Sequence, residues 1–339
     1  MTKFLASFCS KLVLSAAVAT TLAVTVAAAL VPGIAHAAPE EVTYLLPAPP
    51  NSPAFAPWVL AQHKGYYADE NLKINFIVAK GGVDVAKQIG AGNAVIGGAI
   101  GDTPIVVRAN GIPVKAIAVL GAGSITMVAA NAGENIKSLK DLKGKTVTVM
   151  SYTDTTYYAF LGSLKTAGLS KTDLQIQAAG PAGVWQVFTA GKASAFAGVP
   201  DWVVNSTDAG AKVELLDNGG FKSMAQAILA SDDTIKNKPE LLKRLVRATL
   251  RGMQDIMKDP KAAATDYVAA LPAYKGKEAS IEATFEMYRK YVYAGQKTLG
   301  QIDAARMDSV QKFYVSEGIV TKATPVNELF TNQFVGTAR

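Results

Sequence analysis

The chain contains very little cysteine and histidine. Among its 339 residues, one is a cysteine (Cys9) and two are histidines (His36 and His63). A disulfide framework needs paired cysteines, and structural zinc sites need several Cys or His ligands at short spacing. The sequence therefore excludes both devices, and we expect neither a metal ion nor a cofactor.

Long apolar runs are also scarce, and the one present lies at the N-terminus. Lys3 and Lys11 precede an uncharged stretch rich in Ala, Val, Leu and Thr, which ends at Ala35-His36-Ala37. A basic start, an apolar middle and an A-x-A exit are typical of a secretory signal peptide. We expect residues 1–37 to be removed by cleavage after Ala37 and the mature chain to be exported. The alternative is a permanent membrane anchor, because the stretch approaches the length of a membrane span.

Charge of one sign is not concentrated in any segment. The formal net charge is +7, and Lys3 and Lys11 supply two of these charges, which leaves +5 after cleavage. The Lys and Arg residues are scattered, as on a mildly basic surface, so we expect no nucleic-acid partner. The roughly 300 remaining residues are enough for two compact domains.

Short strand patterns alternate with helical patterns along most of the mature chain. Examples are the strand patterns at residues 73–78, 95–100 and 114–120, with helical stretches before and between them. Such alternation predicts an α/β fold with parallel strand pairing. Ligands on sheets of this kind bind outside the carboxyl ends of the strands.

Residues 136–169 contain the clearest candidate site. The strand pattern at 146–150 is followed by Ser151, Thr153, Thr155 and Thr156, and then by an amphipathic helix. A helix start that combines free backbone N–H groups with hydroxyls can bind the polar end of a small ligand. The alternative is that Thr153 or Asp154 is only an N-cap of that helix.

Three blocks of sequence, in this order and spacing, resemble one protein family. The blocks are FAPWVLAQHKGYYADENL at 55–72, IGDTPIVVRANGIPVKAIAVL at 100–120 and IKSLKDLKGKTVTV at 136–149. Together they resemble the periplasmic solute-binding proteins of ABC importers. More narrowly, they are similar to the branch that handles nitrate, sulfonates, taurine and thiamine-pyrimidine precursors.

The resemblance implies a two-lobe α/β fold of the type II periplasmic-binding-protein class, with the ligand in a cleft that closes on binding. Each lobe would be a mostly parallel sheet flanked by helices. Lobe one would comprise residues 38–124 and 219–339, and lobe two residues 125–218. The resemblance also implies a monomer in the periplasm and, as partners, a small-molecule ligand and the ABC permease and ATPase subunits.

Candidate ligand-binding residues follow from the expected strand ends, from the hinge and from the matching motifs. A lone tryptophan belongs to a core more often than to a ligand site, so Trp185 and Trp202 are weaker candidates than the residues in the motifs. The candidates are Asn51, Ser52, Phe55, Asp102, Thr103, Ser124, Ser151, Tyr152, Thr153, Thr155, Trp185, Asp201 and Trp202.

The residue types leave two ligand classes open. Aromatic side chains and aspartates near the expected cleft favour an organic ligand with an aromatic or heterocyclic part. The hydroxyl cluster at a helix start instead suits an alkanesulfonate such as taurine or a related anion.

An enzyme of another class, similar to the thiamine-pyrimidine synthases, has less support. Such chemistry needs histidine and usually cysteine, whereas the mature chain would retain only His63 and no cysteine. No H-E-x-x-H, G-x-S-x-G or phosphate-loop pattern occurs. We expect no catalytic residue.

The first prediction concerns processing. If the A-x-A exit is a cleavage site, N-terminal sequencing of material exported by a Gram-negative host should begin at Ala38. Ala37→Asp should block cleavage, because the exit position accepts small residues. A wild-type chain that still begins at Met1 in the membrane fraction would instead indicate a permanent anchor.

Overall fold

The computed structural model describes residues 38–218 and 220–336, so the predicted signal peptide lies outside the described residues. The described residues form ten strands in two sheets. The strands are β1 (Glu40–Leu46), β2 (Leu72–Val78), β3 (Ile96–Ile100), β4 (Val114–Val119), β5 (Met127–Asn131), β6 (Thr146–Val149), β7 (Gln175–Ala178), β8 (Ala195–Gly198), β9 (Val213–Leu216) and β10 (Gln226–Ser231).

The first sheet has the strand order β2-β1-β3-β10-β4. β1 pairs with β2 in parallel over its whole length, from Glu40 opposite Leu72 to Leu46 opposite Val78, and it also pairs in parallel with β3. β10 is antiparallel to both β3 and β4. Four of the five strands therefore run in one direction.

The second sheet has the order β7-β6-β8-β5-β9 and repeats this arrangement. β6 is parallel to β7 and β8, whereas β5 is antiparallel to β8 and β9. In each sheet the reversed strand is the one that the chain forms directly after arriving from the other sheet. The mixed, mainly unidirectional sheets confirm the predicted fold class.

Helices connect the strands and follow the last one. They are α1 (Ala56–His63), α2 (Tyr66–Asp69), α3 (Gly82–Gly90), α4 (Thr103–Arg108), α5 (Thr155–Thr166), α6 (Gly180–Thr189), α7 (Pro200–Asp208), α8 (Asp232–Asn237), α9 (Pro239–Lys258), α10 (Pro260–Ala270), α11 (Glu278–Met287), α12 (Ala304–Ser316) and α13 (Val326–Leu329). A π-helical segment, Tyr288–Tyr293, continues α11. None of the helices in the described ranges combines the length and the apolar composition that crossing a bilayer requires.

The long helix α9 shows how the C-terminal segment packs on the first sheet's helices. Its apolar residues recur at helical spacing and are buried, as on one face of an amphipathic helix. Gly252 allows close packing against α1, because a Cβ atom there would lie 2.1 Å from the carbonyl oxygen of Pro57. The hydroxyls of Tyr67 on α2 and Thr249 on α9 are 2.8 Å apart in the adjoining contact between these two helices.

The chain passes from the first sheet to the second between β4 and β5, and returns between β9 and β10. A Cβ atom at Gly121 would lie 2.0 Å from the carbonyl oxygen of Val292, and one at Gly123 would lie 1.8 Å from that of Tyr291. Only glycine permits this approach of backbone to backbone. The predicted boundaries at 124/125 and 218/219 lie in these connections and stay a prediction.

The Arg306 guanidinium in α12 holds both connections. It donates to the carbonyl oxygens of Ala122 and Gly123 in the first connection and of Ser223 in the second. One cation therefore satisfies main-chain acceptors on both segments that join the sheets.

The second prediction follows from the close approach at Gly123. Gly123→Ala should lower the free energy of unfolding by about 1–3 kcal/mol or more, because the new methyl group would overlap a main-chain carbonyl. Chemical denaturation measures the loss. The control is Gly133→Ala, whose Cβ would approach only the side-chain oxygen of Asn131, at 3.2 Å. Equal losses in the two variants would contradict the prediction.

Candidate ligand-binding cleft

A cavity lies between the two sheets, at the carboxyl ends of their parallel strands. β1, β3, β6 and β8 end beside it, and the reversed strands β5 and β10 begin there. The lining residues are Pro47, Ala48, Ser52, Ala54, Phe55, Trp58, Gly98, Ala99, Ile100 and Gln226 from the first sheet and its connections, and Ile125, Met150, Asp154, Thr155, Thr156, Val199 and Trp202 from the second.

The cavity walls are mostly apolar and partly aromatic. Phe55 and Trp58 form an edge-to-face pair with ring centroids 6.0 Å apart, and Trp202 lies in the wall contributed by the second sheet. The cavity has a volume of about 50 Å³, which is room for a few water molecules. A larger ligand does not fit the cavity as it stands.

Asp154 connects the two sides of the cavity. It is the N-cap of α5, and its Oδ1 accepts hydrogen bonds from the backbone N–H of Thr156 at 3.0 Å and from the Thr156 hydroxyl. Its Oδ2 lies 3.4 Å from the backbone N–H of Gly82, at the start of α3 on the first sheet's side. Burial raises the pKa of this carboxyl group, while these hydrogen bonds act in the opposite direction.

Thr153 adds two more bonds at this contact between α3 and α5. Its carbonyl oxygen accepts from the backbone N–H of Val83 at 3.2 Å, and its hydroxyl donates to the carbonyl oxygen of Lys80 at 2.9 Å. The N-terminal ends of the two helices therefore meet at one edge of the cleft.

Asp201 forms a second contact across the cleft. Its carboxylate accepts from the hydroxyls of Ser52 at 2.8 Å and Tyr288 at 2.9 Å, both of which lie on the first sheet's side. Asp201 is buried, and burial raises its pKa. The neighbouring carbonyl oxygen of Asn51 accepts from the hydroxyls of Tyr267 at 2.7 Å and Tyr274 at 2.9 Å, which fixes the loop that carries Ser52.

Three buried polar atoms of the lining residues have no hydrogen-bond partner. They are the indole N–H of Trp58, the hydroxyl of Thr155 and the side-chain oxygen of Gln226, whose amide nitrogen donates to the carbonyl oxygen of Ala54. Trp58 is 1% exposed, Thr155 is 2% exposed and Gln226 is 4% exposed. Buried polar atoms are nearly always paired in native proteins, so these three atoms are available to a polar group of a ligand.

The structure brings together part of the predicted ligand set. Ser52, Phe55, Thr155 and Trp202 line the cavity. Asp201 and Thr153 instead join the two sides of the cleft through hydrogen bonds. Whether the predicted residues bind a ligand stays a prediction.

Asp102 and Thr103 lie outside the cavity lining, near the two connections between the sheets, which form the expected hinge. The Asp102 carboxylate accepts from the hydroxyls of Ser223 at 2.9 Å and Tyr314 at 2.7 Å, and burial raises its pKa. Thr103 is fully buried in the first turn of α4. The hydroxyl of Ser124 lies 3.4 Å from the carbonyl oxygen of Thr126, within the first connection.

The remaining predicted residues also lie outside the cavity lining. The ring of Tyr152 is half exposed, and its hydroxyl donates to the carbonyl oxygen of Ile176, beside the outer strand β7. The Ser151 hydroxyl is 3.1 Å from that of Thr153. Trp185 is partly buried on α6, and Asn51 takes part through its carbonyl oxygen while its side chain is exposed.

Trp58, Gln226 and Ile125 are cavity residues that sequence reasoning missed. Trp58 lies on the face of α1 that the sequence pattern predicts to pack on a sheet. This pattern does not indicate that Trp58 also forms part of the cavity wall. Gln226 did leave a signal, because it is the amide at the start of the otherwise apolar strand QAILAS.

Two mixed sheets with a cavity between their carboxyl edges are the fold of the periplasmic binding proteins. The alkanesulfonate-binding protein SsuA from Xanthomonas axonopodis pv. citri, bound to MOPS, has this fold. It matches with a TM-score of 0.70 at 19% identity, over 88% of this chain and 100% of that chain. The desulfurization enzyme DszB matches with a TM-score of 0.56 at 15% identity, over 87% of this chain and 97% of that chain.

The chain belongs to the NMT1/THI5-like family, whose sequence model matches residues 52–263. The riboflavin-binding protein RibY of Chloroflexus aurantiacus is 26% identical over 303 residues, which cover 87% of this chain and 86% of that protein. These findings confirm the family and the fold that the three sequence blocks implied.

The described residues offer no metal centre. Within 38–218 and 220–336, no group of three or more His, Cys, Asp or Glu side chains is placed to hold a metal ion. His63 is exposed at the end of α1 and does not line the cavity.

The third prediction uses the raised pKa of Asp201. In the pH range between the unfolded pKa, about 3.9, and the higher folded pKa, the folded state binds more protons than the unfolded state. The stability contributed by this group therefore falls as pH rises through that range. Asparagine does not titrate, so Asp201→Asn lacks this loss. The melting temperature of the variant minus that of wild type should therefore increase as the pH rises from about 4 to about 7.

Asp141→Asn is the matched control. Hydrogen bonds from the backbone N–H of Lys137 and from Ser138 lower the pKa of Asp141, so the stability that this carboxylate contributes changes below about pH 4 and is constant above about pH 5. The melting temperature of Asp141→Asn relative to wild type should therefore stay nearly constant from about pH 5 to about pH 7. Differential scanning fluorimetry of the three proteins tests both expectations. The prediction would be contradicted if the melting temperature of Asp201→Asn minus that of wild type stayed constant or decreased with rising pH.

Proposed function

We propose that the chain is the extracytoplasmic substrate-binding protein of an ABC importer and that its cleft binds a flat, uncharged heterocyclic compound of the riboflavin type. The chemistry of the cavity supports this class most directly. Its walls are aromatic and apolar, its three unpartnered polar atoms belong to neutral groups, and its one ionisable lining residue is an aspartate.

Aromatic walls favour a flat ring system. Phe55, Trp58 and Trp202 offer large apolar faces, and aromatic contacts add to the free energy of burying area. A heterocycle with carbonyl and ring N–H groups could accept from the Thr155 hydroxyl and donate to the side-chain oxygen of Gln226. The riboflavin-binding relative supports the same class of ligand.

An alkanesulfonate is the second candidate, and the fold shared with SsuA favours it. A sulfonate would need positive charge or free N–H donors in the cavity. The lining contains neither Lys nor Arg, its unpartnered N–H donor is the single uncharged indole of Trp58, and Asp154 already accepts from the N–H of Thr156 at the start of α5. The cavity therefore fits an anion less well.

Ligand binding would be coupled to movement of the two sheets. The bond between Ser52 and Asp201 and the contacts between α3 and α5 would break when the cleft opens and form again over the bound ligand. The permease and ATPase subunits of the importer would receive the ligand from this closed, monomeric form in the periplasm.

Binding without catalysis is part of the proposal. The DszB enzyme shares the fold, so the fold alone does not separate the two roles. The described residues contain no cysteine, and His63 is remote from the cavity lining. These features support a binding protein over an enzyme similar to the thiamine-pyrimidine synthases.

The fourth prediction tests the ligand class with riboflavin as the probe. Titration of residues 38–339 with riboflavin should quench tryptophan fluorescence and give a saturable heat of binding in calorimetry. Taurine and a free pyrimidine should give weaker signals. Tighter binding of taurine than of riboflavin would favour the sulfonate candidate instead.

Two tryptophan variants show where the probe binds. Trp202→Phe should weaken riboflavin binding by about 0.5–2 kcal/mol, because Trp202 lines the cavity. Trp185→Phe is the matched control, since Trp185 lies outside the lining, and it should leave the affinity measured by calorimetry unchanged. Equal effects of the two substitutions would place the riboflavin site elsewhere.

A further inference from the structure

We propose that Asp154 makes the cleft selective against anions by occupying, with its own carboxylate, the place where a sulfonate or carboxylate ligand would bind. This inference rests on the proposed function, because it concerns the same cleft. It adds the residue that determines which charge class of ligand is accepted.

The position of Asp154 between two helices is the first step. α5 has 12 residues and α3 has 9, so the N-terminal end of each carries partial positive charge and free N–H groups. One carboxylate oxygen accepts from the N–H of Thr156, and the other faces the N–H of Gly82. These N–H groups could otherwise attract the anionic group of a ligand, but they already face the carboxylate of Asp154.

The surroundings of Asp154 supply no positive side chain. Asp154 is 4% exposed and lines the cavity together with uncharged residues. Lys80 is close in the chain to Gly82, but its side chain is exposed to solvent. A second negative charge in the cavity would therefore be repelled without compensation, in a region of low effective dielectric constant.

Thr155 provides the independent observation that a polar ligand group fits here. Its hydroxyl is buried, lines the cavity and has no partner. A Cβ atom at Gly82 would lie 2.7 Å from the oxygen of this hydroxyl. Glycine at position 82 therefore allows α3 to come this close to Thr155. Without the Asp154 carboxylate, this hydroxyl and the N–H groups of Gly82 and Thr156 would face one small space.

The experiment measures binding of MOPS, a sulfonate, to residues 38–339 in Tris buffer by calorimetry. Asp154→Gly should bind MOPS at least about tenfold more tightly than wild type, because it removes the charge and exposes the N–H donors. Asp154→Asn should show a smaller gain, since asparagine removes the charge but still caps the helix.

Asp259→Gly is the matched control. Asp259 is also an N-cap, accepting from the N–H of Ala262 at 3.0 Å, but it belongs to α10 and does not line the cavity. This variant should gain no affinity for MOPS. An equal gain in Asp259→Gly, or wild-type binding as tight as that of Asp154→Gly, would overturn the proposal.

Folding of each variant is checked by its melting curve. If Asp154→Gly does not fold, Asp154→Asn decides, because asparagine is as good an N-cap as aspartate. Folded variants that bind MOPS no better than wild type overturn the inference. Failure of wild type to bind riboflavin would instead count against the proposed ligand, and a gain in MOPS binding by the variants would still support the role of Asp154.

Discussion

A buried carboxylate must be surrounded by hydrogen-bond donors, and in this protein that requirement joins the two sheets. Asp154 and Asp201 both belong to connections of the second sheet, and each receives donors from the first sheet's side: the N–H of Gly82 for one, and the hydroxyls of Ser52 and Tyr288 for the other. Separating the sheets would leave both carboxylates without those donors unless water replaced them. The closed arrangement is therefore maintained by polar contacts at the edges of an apolar cavity.

The hinge is built on a different principle, which is close backbone packing. Gly121 and Gly123 lie directly against the carbonyl groups of the π-helical segment, and Arg306 satisfies main-chain oxygens of both connections. Asp102 reinforces this region through Ser223 and Tyr314. The two sides of the cleft meet through polar contacts, whereas the hinge combines close backbone packing at Gly121 and Gly123 with the hydrogen bonds of Arg306 and Asp102.

Much of the fold could be predicted from local patterns, because strand periodicity, helix stripes and the hydroxyl-rich start of α5 are short-range features. The site was only partly predictable. Asp102 follows a strand end and was expected at the ligand, but its partners Ser223 and Tyr314 are distant in sequence and turn it toward the hinge. Trp58 has the pattern of a core residue, and no local signal distinguishes a core wall from a cavity wall. The N-cap alternative for Asp154 agrees with the structure, yet its second contact, to Gly82, depends on how two sheets face each other.

The contacts of Arg306 have a consequence for how this sequence can change over time. All three of its hinge acceptors are carbonyl oxygens of the main chain, contributed by Ala122, Gly123 and Ser223. A main-chain oxygen is present whatever the side chain, so the guanidinium places no demand on the identity of the exposed residue 122. Relatives could therefore diverge freely at that position while the arginine and the two flanking glycines stay constant, and this pattern would be the evolutionary trace of the hinge.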